Sequence, residues 1–250
     1  KEAQLLQRLN HSNLPYVTDK FSESGRHYLV MEFVNGRTLQ QMLDDAQRPF
    51  PEPQVTQWAT QLCDVLGYLH RQTPKIIFRD LKPDNIMITV DNQVKLIDFG
   101  IVRFFDRTKT KDTEPLGTEG YAAPEQHGSG QTDERSDVYS LGATLFHLLT
   151  AVEPRTHLFN LPPVRQLNPT VSTQMEQLVV KATSNKLHER FASMHQVSTE
   201  LGKLRSVAPQ VSVVSQGGAG SAQQSTLGAA NAAVVQAKRP TQRLVQATIS

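Results

Sequence analysis

An aspartate, a lysine two positions on and an asparagine three further stand in the run Phe78-Arg79-Asp80-Leu81-Lys82-Pro83-Asp84-Asn85. A second aspartate follows in Asp98-Phe99-Gly100. Between them lie two short apolar, β-prone stretches, Ile86 to Val90 and Val94 to Ile97, separated by Asp91-Asn92-Gln93. That pattern reads as a β-hairpin. A hairpin folds its outer ends together, with paired strands roughly 5 Å apart. Asn85 and Asp98 are therefore expected side by side, with Asp80 and Lys82 just upstream. Two carboxylates, one amide oxygen and one ammonium then share one end of a small sheet. Such a set suits a hard cation held by oxygen, with a base and a phosphate-binding charge beside it. The same residue types also make Asx turns at hairpin ends, so residue type alone leaves both readings open.

The surrounding elements must position this cluster. Lys1 to Asn10 carries Ala3, Leu5, Leu6 and Leu9 in a helical pattern without an N-cap. Tyr16 to Thr18 and Tyr28 to Phe33 read as strands, with Ser24-Gly25 as a turn and Asn35-Gly36 as a break. Glu52 to Leu69 is amphipathic, with Val55, Trp58, Ala59, Leu62, Leu66 and Leu69 on one face and Pro53 suited to the first turn. Asp137 to Thr150 is apolar on most sides, which predicts a buried helix. Met175 to Ala182 and Ser193 to Leu204 read as helices, the latter opening on a Ser193–Gln196 capping box. From Ser206 to Ser250 the chain turns to Ala, Val, Ser, Gln and Gly with no aromatic residue. That composition buries too little apolar surface to offset chain entropy and reads as a disordered linker.

With 250 residues the chain can bury a substantial core. A formal net charge of +2, with basic residues scattered, gives no basis for nucleic-acid binding. One cysteine, Cys63, excludes an internal disulfide framework and a multi-cysteine metal site. The histidines form no ligand pattern. No apolar run approaches the roughly 20 residues of a membrane span, and no signal peptide stands at the start. The expectation is a soluble, cytoplasmic chain, with any membrane tether outside residues 1–250.

The Phe78–Asn85 run and Asp98-Phe99-Gly100 resemble the catalytic loop and the Asp-Phe-Gly motif of eukaryotic-type protein kinases. Ala123-Pro124-Glu125 is similar to the Ala-Pro-Glu motif, and Gly117-Thr118-Glu119-Gly120-Tyr121 to the family's substrate-side loop. Asp137 resembles the aspartate that braces the catalytic-loop backbone, and Arg190 the late arginine that pairs with Glu125. These matches fall in family order over residues 1 to about 205, and their style is similar to bacterial serine/threonine kinases.

The resemblance implies an α+β, two-lobed kinase fold. Residues 1–34 would be a partial amino lobe, 35–205 the helical carboxyl lobe, and 206–250 the linker. It implies ATP and Mg²⁺ as cofactors and protein serine or threonine as acceptor. Asp80 would be the base, Lys82 would neutralise charge on the transferred group, and Asn85 and Asp98 would hold magnesium. Thr118 would bond both Asp80 and Lys82. Met31-Glu32-Phe33-Val34 resembles the hinge that binds adenine through backbone groups of Glu32 and Val34, with Met87 under the purine; an ordinary buried strand is the alternative there. Arg79 would meet an activation-loop phosphate on Thr113, Thr110 or Thr108. Phe78 replaces the family's histidine in an apolar stack with Phe99, Leu6 and Val17, a change that leaves no polar atom to satisfy.

Glu2 stands where the family places its helix glutamate. Its partner lysine and the glycine-rich loop have no counterpart in the sequence and would lie before Lys1, so the chain reads as part of a longer kinase. The rival reading is a non-catalytic pseudokinase or scaffold. Intact Asp80, Lys82, Asn85 and Asp98 favour the enzyme.

Overall fold

The computed structural model describes residues 8–23, 26–98, 103–104, 117–127, 132–207 and 247–249. Glu2, Leu6, Phe99 and the threonines 108, 110 and 113 lie outside these ranges. Two antiparallel strands open the described chain, β1 (Val17–Glu23) and β2 (Arg26–Met31). β1 runs further than expected, because its polar second half still pairs through the backbone, Glu23 opposite Arg26. After the Asn35-Gly36 break comes a short strand, β3 (Gly36–Thr38), and a helix, α1 (Leu39–Ala46), that hydrophobic patterning did not reveal. α1 begins on a capping box in which Thr38 accepts from Gln41 N and the Gln41 side chain accepts from Thr38 N.

The expected hairpin forms from β5 (Ile86–Thr89) and β6 (Val94–Leu96), after a two-residue strand β4 (Ile76–Ile77). Its register pairs Ile86 with Leu96 and Ile88 with Val94, and β3 extends the sheet against β5. Asn92 takes the left-handed backbone (φ 58) that the turn needs, which asparagine tolerates. A further two-residue strand, β7 (Arg103–Phe104), pairs with β4.

The helical half is built on α2 (Glu52–His70) and α3 (Glu134–Thr150). The six residues predicted for the inner face of α2 are each 0 % exposed. Burying a side chain of that size contributes about 1.5–3 kcal/mol. α2 is locked to the hairpin turn by Trp58 Nε1, which donates to Asn92 Oδ1 at 2.9 Å. α3 starts three residues before Asp137, because Asp133 caps it by accepting from Arg135 N at 2.8 Å. Every residue of α3 from Ser136 to Thr150 is buried, as the all-round apolar pattern predicts. Around this pillar lie α4 (Val164–Leu167), α5 (Thr173–Ala182) and α6 (Met194–Val207).

The capping box expected for α6 is not the arrangement found. Gln196 reaches back to accept from Ala192 N at 2.9 Å, one residue before the cap, and its own N–H bonds Ser193 O. Of the tail read as a linker, residues 206 and 207 continue α6, and β8 (Ala247–Ile249) pairs antiparallel with β2. That pairing is between backbones and needs no apolar side chain. Burial pushes the Cys63 thiol up to about 12, so it stays protonated as a core group. Among the described residues no helix is long and apolar enough to cross a membrane.

Candidate active site

Three of the four residues singled out first, Asp80, Lys82 and Asn85, meet in one network with Thr118. Asp80 Oδ1 accepts from Thr118 Oγ1 at 2.7 Å and from Thr118 N at 3.1 Å. Asp80 Oδ2 accepts from Asn85 Nδ2 at 2.9 Å and lies 3.4 Å from Lys82 Nζ. Lys82 Nζ donates to Thr118 Oγ1 at 2.7 Å. The threonine hydroxyl thus gives its hydrogen to the carboxylate and receives one from the ammonium. Asp80 is 7 % exposed and Lys82 is half-buried, so these bonds act where water screens them weakly.

Asn85 fixes the hairpin entrance. Its Nδ2 donates both to Asp80 Oδ2 and to the Asp80 carbonyl, the latter at 2.8 Å. Both amide hydrogens are therefore spent on Asp80, which leaves Oδ1 as an oxygen donor for another group. Ile97 N donates to Asn85 O at 2.9 Å, so Asp98 follows immediately after the residue paired with Asn85. Asp98 is exposed and its backbone is left-handed, φ 65. An amide oxygen and an exposed carboxylate on adjacent chain segments are the hard-oxygen donors that magnesium takes. The donor set fits that ion.

The loop bearing Asp80 is pinned from behind. Asp137, 0 % exposed, accepts from Phe78 N at 2.9 Å and from Arg79 N at 2.7 Å, and His70 Nε2 lies 2.7 Å from its Oδ2. Thr144, further along α3, donates to the Leu81 carbonyl at 3.3 Å. Arg79 sits at φ 71, a conformation that costs a residue of its kind of order 1–2 kcal/mol. Asp137 holds its N–H, and Gln126 Nε2 donates to its carbonyl at 2.9 Å, so the strained residue is gripped on both sides. Gly117, at φ 106, closes over this contact; a Cβ there would lie 2.7 Å from Ala122 Cβ and 2.9 Å from Gln126 Nε2. Exchanging Asp137 for alanine leaves two buried N–H groups and the His70 ring without that acceptor. At about 1–3 kcal/mol per orphaned group, we expect a loss of roughly 3 kcal/mol or more in a denaturant titration; an unchanged midpoint would refute the bracing role.

Phe78 is 1 % exposed and belongs to the main core, against which Val17 packs. Met31 is buried, and Glu32, Val34 and Met87 are half-buried. Glu32 N donates to Tyr16 O at 2.9 Å. Among the described residues, no backbone partner takes the Glu32 carbonyl or the Val34 N–H. Glu125 and Arg190 meet in a two-pronged pair at 2.8 and 2.9 Å. Gln126, His70, Lys95 and His147 escaped sequence reading; each acts through a partner distant in sequence, a relation that periodicity does not encode. A groove of about 1270 Å³ between α2, α5 and α6, lined by Gln57, Gln61, Gln177 and Leu204, contains none of the site residues.

A buried, braced loop carrying this cluster beside a hairpin, set on a helical half, defines a protein kinase domain. A family model described as protein kinase domain matches residues 1–208, and the chain belongs to that family. Among its relatives are bacterial serine/threonine kinases. It is 33 % identical over 226 residues to the serine/threonine-protein kinase PknB of Mycobacterium leprae, covering 84 % of this chain and 36 % of that protein. It is 35 % identical over 213 residues to PknL of Mycobacterium tuberculosis, covering 80 % and 52 % respectively. The chain thus spans about a third to a half of these relatives' length. The crystal structure of the Mycobacterium tuberculosis PknI kinase domain is similar in fold, with a TM-score of 0.66 and 24 % identity over 81 % of this chain and 76 % of that one. The α+β kinase architecture expected from the motifs is the one found.

Proposed function

We propose that the protein transfers the γ-phosphoryl group of ATP to serine or threonine hydroxyls of protein substrates. The observation that carries this reading is the Asp80–Thr118–Lys82–Asn85 network, in which three donors fix one carboxylate and an ammonium stands 3.4 Å from it. Asp80 receives the hydrogen of the substrate hydroxyl and aims its oxygen at the γ-phosphorus. The new P–O bond forms as the bond to the β–γ bridging oxygen breaks and ADP leaves, while the proton passes to the carboxylate. Lys82, oriented by Thr118 Oγ1, offsets negative charge on the transferred oxygens. Asn85 Oδ1 and Asp98 would hold magnesium, which would supply charge neutralisation to the phosphates. Lys82 followed by Pro83, together with Thr118, supports a serine/threonine acceptor.

Adenine is assigned to the Glu32 carbonyl and the Val34 N–H, with Met87 beneath it. Lys95, paired across the hairpin with Met87, reaches over to this segment. Its Nζ donates to Glu32 Oε1 at 2.7 Å and to the Leu14 carbonyl at 3.3 Å. It therefore ties the adenine segment to the strand that leads into Asp98. Lys95→Met is expected to weaken nucleotide binding about three- to tenfold, the worth of one half-buried ion pair, without lowering kcat. A nucleotide titration with wild-type affinity would refute this.

The test of the reading is direct. Full-length protein with labelled ATP, magnesium and a basic protein substrate should yield phosphoserine or phosphothreonine. Absence of transfer by wild type, or equal transfer by Asp80→Ala, sinks it.

A further inference from the structure

α3 grips the site at both of its ends. At its start Asp137 holds the Phe78 and Arg79 peptides. In its last turn stands His147, 3 % exposed, whose Nδ1 lies 2.6 Å from Tyr121 Oη. The two rings sit 6.1 Å apart at 48°. Tyr121 is 7 % exposed, and its N–H donates to the Thr118 carbonyl at 3.0 Å; Ala122 N adds a second bond to that carbonyl at 2.9 Å. Thr118 is the residue that supplies two donors to Asp80. A continuous chain of bonds therefore runs from His147 through Tyr121 and Thr118 to Asp80. Gly120 lets the loop lie flat on the segment after α3: at φ 88, a Cβ there would stand 2.4 Å from Arg155 N.

Burial keeps both partners of the His147–Tyr121 contact neutral. Burial raises the Tyr121 phenol, with Glu153 and Asp84 adding to the effect and Arg155 opposing it, so the hydroxyl keeps its hydrogen and is able to donate it. Burial lowers the His147 imidazole, against the attraction of Glu153, Asp44 and Asp84. A neutral ring with its hydrogen on Nε2 leaves Nδ1 to accept.

We infer that His147 is a positioning residue for phosphoryl transfer, acting as the buried acceptor that pins Tyr121 and through it sets Thr118 against Asp80. Its consequence for rate rests on the kinase reading above; its geometry does not. A histidine that merely satisfied a core tyrosine would affect stability and leave the acceptor-side kinetics alone. A positioning histidine changes how well the substrate hydroxyl meets the carboxylate.

The test uses full-length Tyr121→Phe, His147→Phe, the double variant and His147→Asn, whose Oδ1 stands near the place of Nδ1. Tyr121→Phe and His147→Phe should each lower kcat/KM for the protein substrate about tenfold, with KM for ATP unchanged. The double variant should lose no more than either single change, because the two groups act as one unit. His147→Asn should recover to within about threefold of wild type, as a retained acceptor requires. Imidazole ¹⁵N spectra should show the Nε2–H tautomer at neutral pH, with the Nδ1 resonance shifted in Tyr121→Phe. Additive losses, an undiminished Tyr121→Phe, or equal losses for His147→Asn and His147→Phe overturn the positioning role while leaving the kinase reading intact. An Nδ1–H tautomer overturns it without reference to activity. A wild-type protein that transfers no phosphate overturns the kinase reading and the positioning role with it.

Discussion

Asp80→Ala is expected to lower kcat for phosphoryl transfer to a protein substrate by about 10³-fold, roughly 4 kcal/mol of transition-state stabilisation. KM for ATP should change by less than about threefold, because the role proposed for Asp80 is on the acceptor hydroxyl and not on the nucleotide. The size of the loss reflects how firmly the carboxylate is held. Thr118 N, Thr118 Oγ1 and Asn85 Nδ2 all donate to it. Truncation removes the acceptor of the substrate proton and leaves these donors to reorganise. Asp80→Asn separates the two effects. Its amide keeps the shape and one oxygen for Thr118, but its NH₂ faces the NH₂ of Asn85 and it takes up no proton. Initial rates within about tenfold of wild type in Asp80→Asn would show that shape, rather than basicity, matters at this position.

How much of this was legible in the sequence depended on range. The hairpin was, because two apolar, β-prone runs and the Asp91-Asn92-Gln93 break are local signals, although the register that pairs Ile86 with Leu96 sets Asn85 one residue short of Asp98. With the hairpin came the neighbourhood of Asn85 and Asp98. α2 and α3 were legible through their apolar faces, although Asp133, a cap four residues before the predicted start, set the true start of α3. α1 was missed even though Thr38 and Gln41 stood at capping-box spacing. Its eight residues bury only Leu39 and Leu43, too weak a periodic signal beside a Gly break. The supports of the site were illegible for a different reason. Gln126 holds the Arg79 carbonyl, Lys95 holds Glu32 and His147 holds Tyr121, and each contact exists only once the elements are packed. A buried polar side chain far from its partner in sequence carries no spacing to read.

The Glu125–Arg190 pair shows what such a contact contributes, and breaking it should give the largest stability effect in the molecule. The Arg190 side chain is 0 % exposed and that of Glu125 14 %. Besides its two bonds to Glu125, Arg190 donates to the carbonyls of Ser184 at 2.7 Å and Arg135 at 3.1 Å, and its guanidinium lies 4.9 Å from the Tyr139 ring. Every face of the cation is thus engaged, and burial pushes the Tyr139 phenol up to about 12 despite the charge beside it. Glu125→Ala leaves that guanidinium charged and buried, so it should cost about 3–5 kcal/mol. Arg190→Ala should cost a similar amount, since it leaves Glu125 without its cation, with Ser136 Oγ still donating to Oε1, and strands two carbonyls. Removing both charges at once, Glu125→Ala with Arg190→Ala, should cost less than the sum of the single changes by about 2 kcal/mol or more. Arg190→Lys should not rescue, because an ammonium cannot span two carboxylate oxygens and two carbonyls at once. Denaturant midpoints for the four variants decide the matter. Single-site costs that add to within about 0.5 kcal/mol in the double variant would mean that the charges stand independently and that the pair does not join the Ala123-Pro124-Glu125 segment to the end of the helical half.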